Sequence, residues 1–416
     1  MIYSMTRENK ILGSAVIASL ITRKSILGAI SCSCTMIFVC SFVLFSFVSC
    51  GNDSSQKSAA QPTTPPPLNP DAPDMTGLTG PWLYTNGPWI KKLSSGNHTI
   101  RGIAIPDLQV CEWQQTPYIG GIIGILDKVT NTNDGWYPNT IRLTIWPDGE
   151  SIIGEPGWIP DPDDYYLNYL KPATDYCASK GLYFIIDWHW IGNYNTSYAD
   201  QQTKDFWAYI APKYANNPYA IFELFNEPIL PNNWDIWKSV AQDWVDLIRN
   251  HAPYNLILVG GPYWSSDCSG SVMNPITGGN IVYTCHIYPP TSWDEYDQRF
   301  GNAALYRPIV MTEWAFEHPD PNAPLATALS GDAEVVDGIQ SFDPRYGPAP
   351  GTPPSNGYGD HYKEYLEARP NIGWTYWCAD NQWQSMFDEN WNLRGTNYFS
   401  GEFVKQWLLE KHNSAN

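Results

Sequence analysis

Positive charge is scarce in this chain, with 24 Lys and Arg against 42 Asp and Glu and a formal net charge of -18. A phosphate-rich partner needs a basic stripe to neutralise it, so this balance argues against nucleic acid. A neutral substrate is compatible with it. Cysteines with metal-ligand spacing are lacking too. Of nine cysteines, five follow Cys50 (Cys111, Cys177, Cys268, Cys285 and Cys378), none in the paired pattern of a metal centre. Five leave room for a disulfide outside the cytoplasm, but at least one must stay free or pair between chains. No glycine-rich phosphate loop follows the first predicted strand.

Aromatic surface is abundant instead: 20 Trp and 26 Tyr, spread over the residues after Gly80. Large aromatics dominate burial in ordinary domains, so most of these rings belong to the core. The rest suit pyranose rings, whose axial C–H groups present a flat apolar face to a π-system. The first fifty residues are a different material. Arg23 and Lys24 precede an uncharged, largely apolar run from Ser25 to Cys50, the layout of an export signal or membrane anchor over residues 1–50. Its end, Phe47-Val48-Ser49-Cys50-Gly51, resembles a bacterial lipoprotein processing box, in which the cysteine becomes the lipidated first residue. Phe47 stands where that box usually has leucine. An uncleaved spanning helix is the alternative, because the run reaches about 20 apolar residues. Residues 51–80 are a linker; within them Ser54 to Asp74, rich in Ser, Pro, Gln and Thr, reads as a semi-extended tether. Residues 81–416 are thus expected outside the cytoplasm, as a monomer meeting the membrane only through the N-terminal anchor, or secreted.

After Gly80 strand-like runs alternate with helical ones. The strands are His98 to Ile105, Thr140 to Trp146, Leu182 to Trp190, Ala220 to Glu227, Leu256 to Gly261, Ile281 to Tyr288, Pro308 to Trp314 and Ile372 to Cys378. Amphipathic stretches such as WDIWKSVAQDWVDLIRN and SGEFVKQWLLEKH lie between or after them. Strands buried on both faces and separated by helices predict an α/β fold, a (β/α)8 TIM barrel over residues 81–416. A doubly wound open sheet is the alternative, and the helical signal between the fifth and sixth strands is weak. The long connection from Glu317 to Tyr358 opens beside the seventh strand, and its Phe342, Tyr346 and Tyr358 are candidates to line a cleft. Its Asp320, Asp332, Asp337 and Asp343 lack an EF-hand pattern.

In a parallel barrel the carboxyl ends of the strands carry the chemistry. Two runs end there in glutamate: AIFELFNEP at Glu227 and PIVMTEWAF at Glu313. An unpaired buried carboxylate is costly, so two at strand ends point to a catalytic pair. Other strand ends supply Arg142 and Trp146, Asp187, Trp188 and His189, Asn226, His286 and Tyr288, Trp374 and Trp377. This set suits glycoside hydrolysis with retention, in which one carboxylic acid protonates the departing oxygen while a carboxylate about 5 to 5.5 Å away attacks the anomeric carbon. Arg142 would keep the nucleophile charged, with a hydrogen bond from Tyr288, and burial beside His286 would raise the acid's pKa. Asn226 is placed for the sugar 2-hydroxyl. Carboxylates alternating with Arg, His and Trp disfavour a metal site, and neither metal nor cofactor is expected.

At these residues the chain resembles glycoside hydrolase family 5, the cellulase family, over roughly Thr99 to His412. FNEP matches its acid/base motif and TEW its nucleophile motif, which implies Glu227 as acid/base, Asn226 as its partner and Glu313 as nucleophile. IRL fits the strand-two arginine (Arg142), DWHW the strand-three histidine (His189), and HIY the paired His286 and Tyr288. WTYW looks like the strand-eight motif, in which Trp377 is the platform under the sugar beside the scissile bond. DWHW lacks the asparagine some members place after the histidine. The resemblance implies a retaining endo-β-1,4-glucanase acting on a β-linked polysaccharide or oligosaccharide. A mannanase or other β-glucanase of the family is the alternative, and a non-catalytic polysaccharide-binding barrel the remote one.

Overall fold

The computed structural model describes residues 67, 72–148, 157–288, 293–315, 358–381, 386–394 and 400–415. The predicted signal segment 1–50, most of the tether, and the connection from Glu317 with Phe342 and Tyr346 lie outside them. Three short antiparallel strands come first: β1 (Leu83–Asn86), β2 (Trp89–Lys92) and β3 (Gly96–Asn97). The barrel strands follow as β4 (Arg101–Ile105), β5 (Thr140–Ile145), β6 (Tyr183–Trp188), β8 (Ala220–Glu223), β10 (Ile257–Gly260), β11 (Ile281–Ile287), β12 (Ile309–Trp314) and β13 (Ile372–Tyr376). A two-stranded pair, β7 (Ile191–Gly192) with β9 (Glu227–Pro228), sits beyond the ends of β6 and β8. The eight barrel strands pair in parallel and close in the order β10-β11-β12-β13-β4-β5-β6-β8. All eight predicted runs are therefore present, and the open sheet is not.

Successive side chains of a strand point to opposite faces, and here the two faces form two separate cores. Inward, Tyr183, Ile185, Ile221, Leu258, Val282 and Val310 fill the lower barrel, where Leu83 and Ile90 of the β1–β2 hairpin close it. Outward, Phe184, Ile186, Phe222, Ile257 and Met311 pack with the helices. Helix Trp234–His251 buries Trp237, Ala241, Trp244, Val245 and Ile248 at three- and four-residue spacing, and Asn233 caps it by accepting from the Ile236 amide. Each such large apolar side chain contributes about 1.5–3 kcal/mol of burial.

Two helices between β4 and β5, Leu108–Ile119 and Gly121–Val129, had gone unread. Gly120 and Gly121 both take positive φ (90° and 64°), which breaks the run and interrupts its periodicity. Between β10 and β11 the described helix is only the 3-10 turn Ser269–Ser271, in line with the weak signal there. Cys111, Cys177, Cys268, Cys285 and Cys378 are all buried and free, so the disulfide is not formed. Among the described residues no helix is long and apolar enough to cross a membrane.

Candidate active site

The alternation that packs the lower barrel continues upward with ions. Asp187 follows Ile185 on the inner face of β6, and Glu223 follows Ile221 on that of β8, directly opposite Asp187 in register. Leu224 still donates its amide to Leu258 of β10, and after it the chain leaves the barrel ladder. The Asn226 amide donates to the Trp188 carbonyl and the Glu227 amide to that of Trp190, both at 2.9 Å, so the β7–β9 pairing rather than a continued β8 aims these two side chains. Across the barrel, the register between β11 and β12 shifts between Thr284 and His286, which sets His286 opposite Glu313. Such irregularities re-aim side chains beside active sites.

Arg142 stands at the centre, wholly buried. Its Nη1 donates to Glu313 Oε1 at 2.7 Å, its Nε to Glu223 Oε2 at 2.6 Å, and its Nη2 to Asn226 Oδ1 at 2.6 Å, with Asp187 Oδ2 at 3.0 Å. Tyr288 Oη donates to Glu313 Oε2 at 2.9 Å. His286 Nδ1 lies 2.8 Å from Glu227 Oε1 and 3.6 Å from Glu313 Oε2, while its Nε2 meets Thr312 Oγ1 at 3.0 Å. His189 Nδ1 sits 2.5 Å from Asp187 Oδ2. The Trp377 ring lies parallel to the His189 ring at 5.2 Å, with the Arg142 guanidinium 5.6 Å from its centre. Asn226 Nδ2 is buried with no partner, a donor left available to a ligand.

These contacts push the two glutamates apart in acidity. Burial raises Glu227, opposed by its hydrogen bond to His286 and reinforced by the nearby Glu313 carboxylate, and the net direction is up. Burial would raise Glu313 too, but the cations His286 and Arg142 outweigh it and hold that carboxyl low. For Glu227 the sequence reading assigned the rise to burial beside His286; burial does raise it, whereas His286 itself works the other way. The His286 imidazole, despite a downward push from burial, is lifted to about 10 by Glu313, Glu223 and Glu227. Burial drives His189 down to about 3 and Asp187 up. Two carboxyls with opposed acidity are the arrangement acid–base chemistry needs.

Glu227, His286 and Glu313 offer ligand atoms within 4.8 Å of one another, close enough to wrap an ion. Arg142 and the protonated His286 already neutralise these carboxylates, and the set suits proton transfer better than a divalent cation.

All eight candidate residues, Arg142, His189, Asn226, Glu227, His286, Tyr288, Glu313 and Trp377, gather at this mouth. Trp374 and Trp188, also read as strand-end groups, do not. Trp374 stacks on Trp407 at 4.4 Å and Trp188 on Phe206 at 4.3 Å, both on the outer face, because their positions alternate with the inward ones. Sequence reasoning passed over Glu223, which hides inside the apolar run FELF; its alternation with Ile221 was the available signal. It also passed over Tyr263 and Trp264, 49% and 41% exposed, in a turn where Tyr263, Trp264 and Ser265 all take positive φ. The Trp264 amide donates to the Pro228 carbonyl and Ser265 Oγ to that of Asn226, which ties this strained turn to the Glu227 segment.

Fold and site together define a (β/α)8 barrel enzyme with a paired-carboxyl centre. More particularly, the chain belongs to glycosyl hydrolase family 5, the cellulase family, whose profile matches residues 106–382. It is 32% identical over 192 residues to an endoglucanase of Clostridium saccharobutylicum, covering 45% of this chain and 41% of that protein. Against Endoglucanase E-5 of Thermobifida fusca the identity is 27% over 291 residues, 67% of this chain and 54% of that one. The chain thus spans about half the length of the curated relatives it matches. Among solved structures, a β-glucanase from Saccharophagus degradans superposes with a TM-score of 0.59 at 25% identity, covering 84% of this chain and 98% of that one. The catalytic domain of the Thermobifida fusca endoglucanase shares the fold with a TM-score of 0.58 at 21% identity, covering 78% and 96%.

Proposed function

We propose that this protein is a retaining endo-β-1,4-glucanase, with Glu313 as nucleophile and Glu227 as acid/base. One observation carries the reading: oxygens of the two glutamates approach within 4.8 Å, and their acidities are driven in opposite directions. Retaining enzymes hold their carboxyls about 5–5.5 Å apart, whereas inverting ones need about 6.5–9.5 Å to admit a water between. Glu313 forms a bond to the anomeric carbon as the glycosidic C–O bond breaks, and Glu227 gives its proton to the departing oxygen. Water, deprotonated by Glu227, then displaces Glu313. Arg142 and Tyr288 hold the nucleophile, Asn226 presents Nδ2 to the sugar, and Trp377, backed by His189, lies beneath it. The exposed Tyr263 and Trp264 flank the Glu227 side, where the leaving portion of the chain departs.

The substrate reading draws on the relatives named as endoglucanases and on the Saccharophagus degradans β-glucanase, which has been solved with cellotetraose. Product analysis on carboxymethyl cellulose, barley β-glucan, mannan and xyloglucan tests it, with anomeric configuration followed by NMR. Internal cleavage of the first two with a β-configured initial product is expected. Preference for mannan transfers the assignment to a mannanase, and an inverted product overturns the mechanism. The proposal extends to location: a monomer exported by residues 1–50 and held outside the cytoplasm through a lipid on Cys50. Loss of lipid incorporation in Cys50→Ser is the expected result.

A further inference from the structure

We infer that Glu223 is the permanent counter-anion of this site and a positioning residue for both steps of the reaction. The inference rests on the reading of Glu227 and Glu313 just given. Glu223 is wholly buried, beside Asp187 of β6 and Leu258 of β10 in register. Its Oε2 accepts from Arg142 Nε at 2.6 Å, and its Oε1, with no hydrogen-bond partner of its own, faces His286 Nε2 at 3.9 Å. Arg142 is the cation that grips Glu313, and His286 is the cation that grips Glu227. A single carboxylate therefore stands behind both. The charged and titratable groups around it are Arg142 from β5, Asp187 from β6, Glu227 from β9, His286 from β11 and Glu313 from β12.

Glu223 supplies an anion to both cations at every stage. At rest Arg142 and His286 are positive, Glu223 and Glu313 negative, and burial pushes Glu227 and Asp187 toward their protonated forms. When Glu313 becomes an ester it loses its charge, and Glu227, having given its proton to the leaving oxygen, gains one. Two cations still face two anions. Hydrolysis of the ester returns a carboxylate to Glu313 and a proton from water to Glu227. Moving a charge between two sites without changing the total avoids a large electrostatic cost in a buried, low-dielectric centre. Without Glu223, Arg142 and His286 would face one anion fewer at both stages. Glu227 would then ionise at lower pH and His286 would release its proton more readily.

The test is the pH profile of kcat/KM for full-length Glu223→Gln, on an activated aryl glycoside and on whichever soluble β-glycan the wild type cleaves, with melting temperature on the same preparation. The alkaline limb should move acidward by about one pH unit or more, and kcat at neutral pH should fall about 10- to 100-fold with KM changed less than about threefold. Glu223→Asp, which keeps the charge on a shorter arm, should retain the wild-type alkaline limb even where kcat falls, and it stands in if the glutamine variant does not fold. An unshifted profile in Glu223→Gln, or an acidward shift in Glu223→Asp, overturns the proposal. Glu227→Ala and Glu313→Ala assayed alongside separate the two readings. Activity of either on the β-glycan removes the assignment of the pair itself, whereas inactivity of both on the β-glycan with an unshifted Glu223→Gln removes the counter-anion role alone.

Discussion

Ile185 and Asp187 stand two residues apart on β6, both facing the barrel interior, as do Ile221 and Glu223 on β8. The lower member of each pair belongs to an aliphatic layer closed by Leu83 and Ile90, and its contribution is burial. The upper member belongs to a buried polar set in which Arg142 meets Asp187, Glu223 and Glu313, and His286 meets Glu227. Desolvation consumes most of the attraction in such a set, so it adds little net stability. The base of the barrel therefore holds the fold together and the mouth supplies chemistry, although the same strands build both. Substitutions at the two ends should separate along that line.

The largest separation is expected at the reacting pair. Glu313→Ala should lower kcat on every substrate by about 10⁴-fold or more, with a melting temperature unchanged or raised, since active-site charges often cost stability. Azide should restore turnover with an inverted product by entering the vacated position. Glu227→Ala should lose as much on polysaccharide but far less on an activated aryl glycoside, whose leaving group needs little protonation. Equal losses on both substrates would contradict the acid role of Glu227.

Two tryptophans on one strand give the next contrast. Trp377 lies at the mouth against His189, and Trp374 lies outside against Trp314 and Trp407. Trp377→Ala should lower kcat about 10- to 100-fold with a modest change in melting temperature, because it removes sugar positioning. Trp374→Ala should instead cost about 3–5 kcal/mol of stability through the cavity left, with near-normal kcat in the folded fraction. Similar melting curves and similar kinetics for both variants would refute the contrast.

That contrast also marks what was legible beforehand. Hydrophobic runs with helices between them were enough to place eight strands and their order along the chain, because parallel barrel strands buried on both faces read as continuous apolar segments. The same continuity hid the inside from the outside: Trp374 and Trp377 both read as strand-end aromatics, and three residues of spacing on a period of two put them on opposite faces. Glu223 was obscured because a glutamate within FELF reads as an interruption, and its partners on β5 and β11 are distant in sequence. The fourth predicted strand runs through to Glu227, whereas the chain leaves β10 after Leu224 and turns to Trp188 and Trp190. Short antiparallel strands such as Gly96–Asn97 carry too little pattern to be read at all.

At the base, Ile185→Ala should cost about 2–5 kcal/mol, since the aliphatic layer around it cannot collapse fully into the space. Its kcat on the folded fraction should match wild type. A lowered kcat with an unchanged melting temperature would mean that the lower layer positions the site as well as filling the barrel.

The smallest effect expected is a pH dependence of stability confined to the mouth. His286 is lifted to about 10 in the folded protein, where Glu313, Glu223 and Glu227 outweigh the downward push of burial, against about 6.5 in the unfolded chain. The folded state therefore binds that proton more tightly. Its stabilising contribution is fully present below about pH 6.5 and is lost as pH rises toward 10. Glu223 runs the other way. Burial works against its charge, Arg142 outweighs burial and holds it at about 2, and its contribution, present above about pH 4.3, is lost as pH falls toward 2. His286→Gln removes the first of these and leaves Glu223 paired with Arg142. Its melting-temperature deficit relative to wild type should be greatest near pH 5.5, below the linkage window, and should shrink steadily toward pH 9.5, near the window's upper end. The Ile185→Ala deficit, which comes from lost burial, should stay constant over the same range. A constant deficit in His286→Gln would mean that this imidazole stabilises by packing alone, and in that respect the mouth of the barrel would behave like its base.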